Sequence, residues 1–233
     1  NIVKDATIVA EDAEFYSHYG VNFRGIARAV LADIKIKDKK SLEGGSSITQ
    51  QLIKNAYLTP EKTLSRKVKE LILAISLERK YSKDEILNFY LNQIPYGSNS
   101  YGIEAASQTY FNKSAKELNL TEAVYLASLP KAPSFYSPYG NNGDELKGRA
   151  NYILDRLRDL KYIRETDYIN AKKITVNFVA PKTGIVAPHF VMFVREYLDE
   201  KYGEDFVEKG GLKVITTLNL ELQNIAERVI KEG

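Results

Sequence analysis

The chain has 233 residues, 27% of them charged, with 33 Lys and Arg against 30 Asp and Glu and a formal net charge of +3. An apolar fraction of 44% is that of an ordinary globular domain and excludes disorder as the main state; the length fits one large domain, or one domain with a smaller appendage. A charge of +3 without a basic tract does not argue for nucleic acid, and the absence of Cys excludes disulfides, thiolate metal sites and a catalytic thiol.

The chain opens on Asn1 rather than Met and without a signal peptide, so an excised fragment is expected, its native N-terminus carrying something more. No apolar run reaches the ~20 residues of a spanning helix; the longest, Leu71 to Leu77, is short and flanked by charges. Most of the first 170 residues read as helix. Phe23, Ile26, Val30, Leu31, Ile34 and Ile36 form an amphipathic stretch beside Lys35, Lys37, Lys39 and Lys40. It fits an interfacial segment near anionic head groups, or equally a core-facing helix with a solvated basic end. Ser41 to Ser47, with Gly44 and Gly45, is expected to be a mobile loop. Thr59-Pro60-Glu61 reads as a helix cap, after which Leu64, Val68, Leu71, Ile72 and Ile75 keep an apolar helical period. Ser82 to Glu85 is a capping box, continued by Ile86, Leu87, Tyr90 and Leu91, and Ser114 to Glu117 is a second box. Thr121 to Leu129 is a short apolar helix stopped by Pro130, and Pro130 to Gly143 is rich enough in Pro and Gly to be irregular. Asn151 to Leu160 and Glu165 to Lys172 are further helices. After about residue 173 the character changes. Ile174 to Val179 looks extended, Phe190 to Tyr202 helical after Pro188, Leu212 to Leu218 strand-like and Leu220 to Ile230 helical again. A boundary near residue 180 separates 1–180 from 181–233.

Three segments carry chemistry-bearing side chains. Glu11-Asp12 precedes Phe15, His18 and Gly20, and a carboxylate beside an aromatic ring and a His suits proton transfer. The same acids would also suit an ordinary first helical turn. Gly44-Gly45-Ser46-Ser47-Ile48-Thr49-Gln50-Gln51, with Lys54 and Asn55, offers amides, hydroxyls and a charge to an anion or a sugar, or is a plain loop before a polar-faced helix. Arg66, Lys67 and Glu70 share one helix face, with Leu64, Val68, Leu71 and Ile75 opposite. Such a Glu stays ionised and anchors a cationic, phosphate-facing cluster, or belongs to a solvated salt-bridge face. Tyr90-Leu91-Asn92 with Gly97, Gly102 and Tyr110-Phe111, and Leu126 to Pro133, read as architecture.

In this order the five segments resemble the peptidoglycan glycosyltransferase family, the membrane-proximal domain of class A bifunctional penicillin-binding proteins and of monofunctional transglycosylases. The motifs stand here as Glu11-Asp12-Ala13-Glu14-Phe15-Tyr16-Ser17-His18-Tyr19-Gly20; Gly45-Ser46-Ser47-Ile48-Thr49-Gln50-Gln51 with Lys54 and Asn55; and Arg66-Lys67 with Glu70, Ala74 and Leu77-Glu78. The fourth runs from Ile86-Leu87 through Tyr90-Leu91-Asn92 and Gly97 to Tyr110-Phe111, and the fifth from Ala123 through Leu129-Pro130 to Ala132-Pro133. The family usually has Thr at the position of Ser47, a change that keeps the hydroxyl. The tail, with Pro188-His189-Phe190, Gly211 to Leu218 and Leu222-Gln223, resembles the connector into a transpeptidase domain.

The resemblance implies a mainly α, lysozyme-like two-lobed helical domain over 1–180 and a short, partly β connector over 181–233. It implies polymerisation of lipid II into glycan strands by inverting single displacement, with release of undecaprenyl pyrophosphate. Glu11 would be the general base and Glu70 a second catalytic group. Asp12, Phe15, His18, Ser46, Ser47, Gln50, Gln51, Lys54, Asn55, Arg66 and Lys67 would form the substrate-binding set, and His189 would have no role. A divalent cation such as Mg²⁺ is one way to bridge the donor pyrophosphate, although no dedicated ligand cluster is apparent. The implied partners are lipid II, a lipid-linked glycan chain, the bilayer surface and the inhibitor moenomycin, not nucleic acid. The implied place is the extracytoplasmic face of the plasma membrane, with a membrane helix before Asn1 and a penicillin-binding domain after Gly233. Two other readings are a lysozyme-like glycan hydrolase, disfavoured by the serine-rich loop and the Lys54, Arg66 and Lys67 cations, and a non-catalytic wall- or membrane-binding module, disfavoured by the two glutamates.

Overall fold

The computed structural model describes residues 1–22, 45–57, 63–180, 187–203, 206–207, 212 and 214–232. The amphipathic stretch from Phe23 to Ile36 with its lysines, Gly44 and the Thr59-Pro60-Glu61 cap lie outside the described residues. The chain divides into two compact units, Asn1–Pro181 and Lys182–Gly233. Ten α-helices and one two-stranded hairpin occur among the described residues, so the fold is mainly α.

In the first unit, α1 (Ile2–Glu11) starts on Asn1, whose side chain accepts a hydrogen bond from Val3 N. Ala6, Ile8, Val9 and Ala10 are all buried, so α1 is a central helix rather than a surface one. Helices α2 (Ile48–Tyr57), α3 (Leu64–Lys80) and α4 (Lys83–Gln93) follow, with α2 packed against both α3 and α4. The hairpin β1 (Pro95–Gly97) and β2 (Ser100–Tyr101) leads into α5 (Ile103–Phe111). Ser98 and Asn99 at its tip both have positive φ, as a two-residue hairpin loop requires. Helix α6 (Leu120–Ser128), an irregular segment, α7 (Gly143–Asp159) and α8 (Glu165–Lys173) complete the unit. α1 lies against α6 and α7, and these three share an apolar core of Ala6, Val9, Val124, Ala150, Ile153 and Leu157.

Local signals account for several boundaries. The Ser82 capping box starts α4, and Thr63 caps α3 by accepting from Arg66 N. The Ser114–Glu117 box is present but opens only a single 3₁₀ turn. A third box, Asn119–Glu122, starts α6. Residues 174–180 form no ladder; Phe178 instead inserts among the rings of Tyr110, Phe111 and Tyr125, and Val179 N donates to Tyr110 O.

Two expectations change. The apolar stripe of α3 is not its buried face. Val68, Ile72 and Ile75 are exposed, whereas Glu70 and Ala74 are buried at 2% and 0% exposure. The reason is the partner: α3 meets α2 through the side that bears Glu70, and the Gly20 backbone abuts Ala74 so closely that an added Cβ would lie 2.9 Å from Ala74 O. In the second unit, α9 (Pro188–Tyr202) and α10 (Leu220–Glu232) form as expected. The described residues among 212–218 carry no strand, because β-branched composition supplies propensity but no ladder partner. No helix among the described residues is long and apolar enough to cross a membrane.

Gly102 caps α5 at φ +81° and ψ 156°, a conformation essentially reserved for glycine, and an added Cβ would sit 2.6 Å from Asn92 O. Gly102→Ala is expected to lower stability by about 1–3 kcal/mol in denaturant unfolding. A variant with an unchanged midpoint would contradict this geometry.

Candidate active site

Glu11 ends α1 rather than beginning a helix, and its side chain is only 7% exposed. Each carboxylate oxygen has one donor. Arg149 Nη2 donates to Oε1 at 2.9 Å, and Gln51 Nε2 donates to Oε2 at 2.9 Å. Gln51 is held in turn by the Tyr90 hydroxyl, which donates to Gln51 Oε1 at 3.1 Å. Burial raises the Glu11 pKa above the ordinary glutamate value, opposed by the charges of Arg149 and Lys131 and by the bonds from Gln51 and Arg149. Buried Tyr90 and Tyr96 are likewise pushed up, by desolvation first and by the Glu11 charge second.

The neighbouring carboxylate does a different job. Asp12 is 6% exposed, and its Oδ2 accepts from Ile48 N at 3.2 Å, so it satisfies the N-terminus of α2. His18 Nε2 lies 2.8 Å from the same oxygen and donates to it, while His18 Nδ1 is buried with no hydrogen-bond partner among the described residues. Phe15 is a fully buried core residue with Lys83 Nζ 4.4 Å from its ring centroid. Asp12, Phe15 and His18 therefore join the first motif to the start of α2.

Ser47 and Gln50 form a capping box. Ser47 Oγ accepts from Gln50 N at 3.2 Å, and Gln50 Oε1 accepts from Ser47 N at 3.0 Å. The Ser47 hydroxyl also donates to Gly20 O. Both residues are buried, at 1% and 0% exposure, so their polar atoms are engaged inside the fold. Gln50 Nε2 donates to Glu70 Oε1 at 3.1 Å, and Lys67 Nζ donates to the same oxygen and to Ser46 Oγ at 3.0 Å. Lys67 keeps 41% of its side chain exposed, which leaves its ammonium available to an anion. Arg66 is half-buried one residue earlier on α3, while Lys54 and Asn55 are exposed on the last turn of α2.

The structure thus forms two hydrogen-bonded groups, Glu11–Gln51 and Gln50–Glu70–Lys67–Ser46, which the adjacent positions of Gln50 and Gln51 on α2 join into one network. Sequence reasoning missed Arg149 and the Tyr90 hydroxyl. The signal for Arg149 was present: it falls at the apolar period of α7 between Leu146, Ala150 and Ile153, where a charge needs a buried partner. Among the described residues no group of three or more His, Asp or Glu is placed to hold a metal.

A family model described as Transglycosylase matches residues 1–158, the stretch that contains every residue of this network. The chain belongs to the transglycosylase family. Relatives of this transglycosylase chain include Penicillin-binding protein 1A of Aquifex aeolicus, 41% identical over 99% of this chain and 31% of the relative. Penicillin-binding protein 1F of Bacillus subtilis is 42% identical over 99% of this chain and 32% of the relative. For Penicillin-binding protein 1A of Escherichia coli the values are 40%, 98% and 27%. The chain therefore spans about a third of the length of these relatives. The crystal structure of Penicillin-Binding Protein 1A from Haemophilus influenzae aligns with 68% of this chain and 20% of that one, at 31% identity and a TM-score of 0.47.

Ser47→Ala removes the α2 cap and leaves Gly20 O without its donor. It should lower stability by about 1–2 kcal/mol in urea unfolding. No loss would mean that the capping box is dispensable to the transglycosylase fold.

Proposed function

We propose that this chain is a peptidoglycan glycosyltransferase, which polymerises lipid II into glycan strands and releases undecaprenyl pyrophosphate. The observation that carries the reading is the Gln50-Gln51 pair, which ties a buried carboxylate with a raised pKa to a carboxylate that holds an accessible cation.

The acceptor is lipid II, through the 4-hydroxyl of its sugar. Glu11 takes the hydroxyl proton while the oxygen attacks the anomeric carbon of the lipid-linked donor chain. The bond from that carbon to the diphosphate breaks in the same step, so the configuration inverts and no covalent sugar intermediate forms. The diphosphate leaves with growing negative charge and needs cations more than it needs an acid. Lys67, fixed by Glu70 and Ser46, and Arg66 beside it supply that charge. Glu70 acts as the anchor that aims Lys67. Ser47, Gln50, Asp12, Phe15 and His18 shape the site, and exposed Lys54 and Asn55 extend it towards the donor. A divalent cation such as Mg²⁺ would bind through the diphosphate oxygens, with the chain contributing few direct ligands.

The lipid tails of both substrates place the reaction at a bilayer surface, on the extracytoplasmic face of the plasma membrane. The exposed apolar face of α3, with Val68, Ile72 and Ile75, supports this, since it lies on the helix that carries Lys67. Residues 181–233 are assigned as a connector towards a transpeptidase domain.

Labelled lipid II tests the reading, with moenomycin as the inhibitor control. Glu11→Gln is expected to cut polymerisation by about 10²–10⁴-fold while circular dichroism retains the folded spectrum. Polymer synthesis at the parent rate by that variant would reject Glu11 as the base. Glu70→Gln is expected to slow polymerisation severely by loosening Lys67, and an undiminished rate would reduce Glu70 to a stability role. The base must be ionised to act. Because burial raises its pKa, the rate should climb with pH through a midpoint above the ordinary glutamate value. A midpoint at or below that value would contradict the burial argument.

A further inference from the structure

Arg149 lies outside the five segments that carry the family resemblance, yet it donates a hydrogen bond to the proposed base. Its side chain is 1% exposed, and its contacts include three hydrogen bonds to described residues. Nε donates to Ser128 O at 3.1 Å, Nη2 donates to Ala10 O at 3.3 Å, and Nη2 donates to Glu11 Oε1 at 2.9 Å. Ser128 is the last residue of α6 and Ala10 the penultimate residue of α1. One guanidinium from α7 therefore staples two helix ends and then grips the carboxylate. The Tyr136 ring sits 5.7 Å from the guanidinium carbon and limits its movement further.

We propose that Arg149 is the positioning residue of this site, fixing the Glu11 carboxylate in one orientation and keeping it anionic, ready to accept the hydroxyl proton. The proposal rests on the reading of Glu11 as general base. A carboxylate has about four acceptor positions, and Arg149 and Gln51 occupy two, one on each oxygen. Capacity remains for an incoming hydroxyl, while rotation of the carboxylate would break both bonds. Among the described residues, the charged and titratable groups around Glu11 are Arg149 on α7, Lys131 in the segment after α6, Tyr90 on α4, Tyr96 on β1 and Asp12 next in the chain. Arg149 and Lys131 are the two cations that oppose the rise caused by burial, and Arg149 alone also donates a hydrogen bond. Lysine cannot replace it fully, because a single ammonium lacks the planar fork that spans two carbonyls and a carboxylate.

The test uses the 233-residue chain with ¹³C-labelled glutamate, the Glu11 carboxyl signal being assigned by its loss in Glu11→Gln. In Arg149→Met the Glu11 titration midpoint is expected to rise by about one to three pH units. The acid limb of lipid II polymerisation should move with it, and kcat at neutral pH should fall at least roughly tenfold with KM nearly constant. Arg149→Lys keeps the charge, so its midpoint should move less while kcat still falls. An unmoved midpoint in folded Arg149→Met overturns the proposal. So does parent-like kcat and midpoint in Arg149→Lys, or failure of both variants to fold, which would leave Arg149 a purely structural staple. A midpoint that rises while the polymerisation limb stays put upholds Arg149's grip on the carboxylate and rejects Glu11 as the base.

Discussion

Two adjacent amide side chains on α2 hold the site together. Successive residues on a helix point about 100° apart, so Gln50 and Gln51 cannot face the same neighbour. Gln50 faces α3 and donates to Glu70; Gln51 faces α1 and donates to Glu11. The two carboxylates come from distant parts of the chain, and this helix fixes each relative to the other. Its own start is doubly secured, by the Ser47–Gln50 box and by Asp12 accepting from Ile48 N. A shift of α2 would disturb both carboxylates together, which makes capping an ingredient of site geometry as well as of stability.

Burial sets the chemistry of Glu11 in two opposing directions. Desolvation favours the neutral acid, whereas Arg149, Lys131 and Gln51 favour the anion. In the proposed role, a carboxylate in water would be too weak a base for a sugar hydroxyl, and an unpaired buried one would stay protonated. The observed arrangement lies between: one charged donor, one neutral donor and a surface nearly closed to solvent. The pair also makes the region intolerant of single changes, since removing one partner of a buried ion pair typically costs about 3–5 kcal/mol.

Much of the fold was legible because its signals are local. The Ser82 and Ser114 boxes, the Pro130 stop and the apolar runs of α4 and α6 act within a few residues of themselves. The candidate site was legible only as a set of residues, not as a set of contacts. Nothing in the spacing distinguishes Gln50, turned to Glu70, from Gln51, turned to Glu11. Ser47 looked like a substrate-facing hydroxyl, but its partners are Gly20 and Gln50, and the first of these lies 27 residues away. The α7 pattern marks Arg149 as a buried charge but cannot name its partner, because Glu11 stands 138 positions earlier. The hairpin before α5 escaped notice because its strands are only three and two residues long.

The inverted face of α3 follows from the same geometry. Residues two apart on a helix are separated by about 200°, so turning Glu70 towards Gln50 turns Val68 and Ile72 outward. Ala74, one turn after Glu70, must then face inward, and its small side chain lets the Gly20 backbone approach. Lys67 lies one turn before Glu70, at the edge between the two faces, where its stem reaches Glu70 and its ammonium stays partly solvated. Reversing α3 to bury its apolar stripe would gain hydrophobic contact and lose the Glu70–Gln50 bond with it. The exposed apolar surface is thus the structural consequence of aiming a cation and a carboxylate at the site.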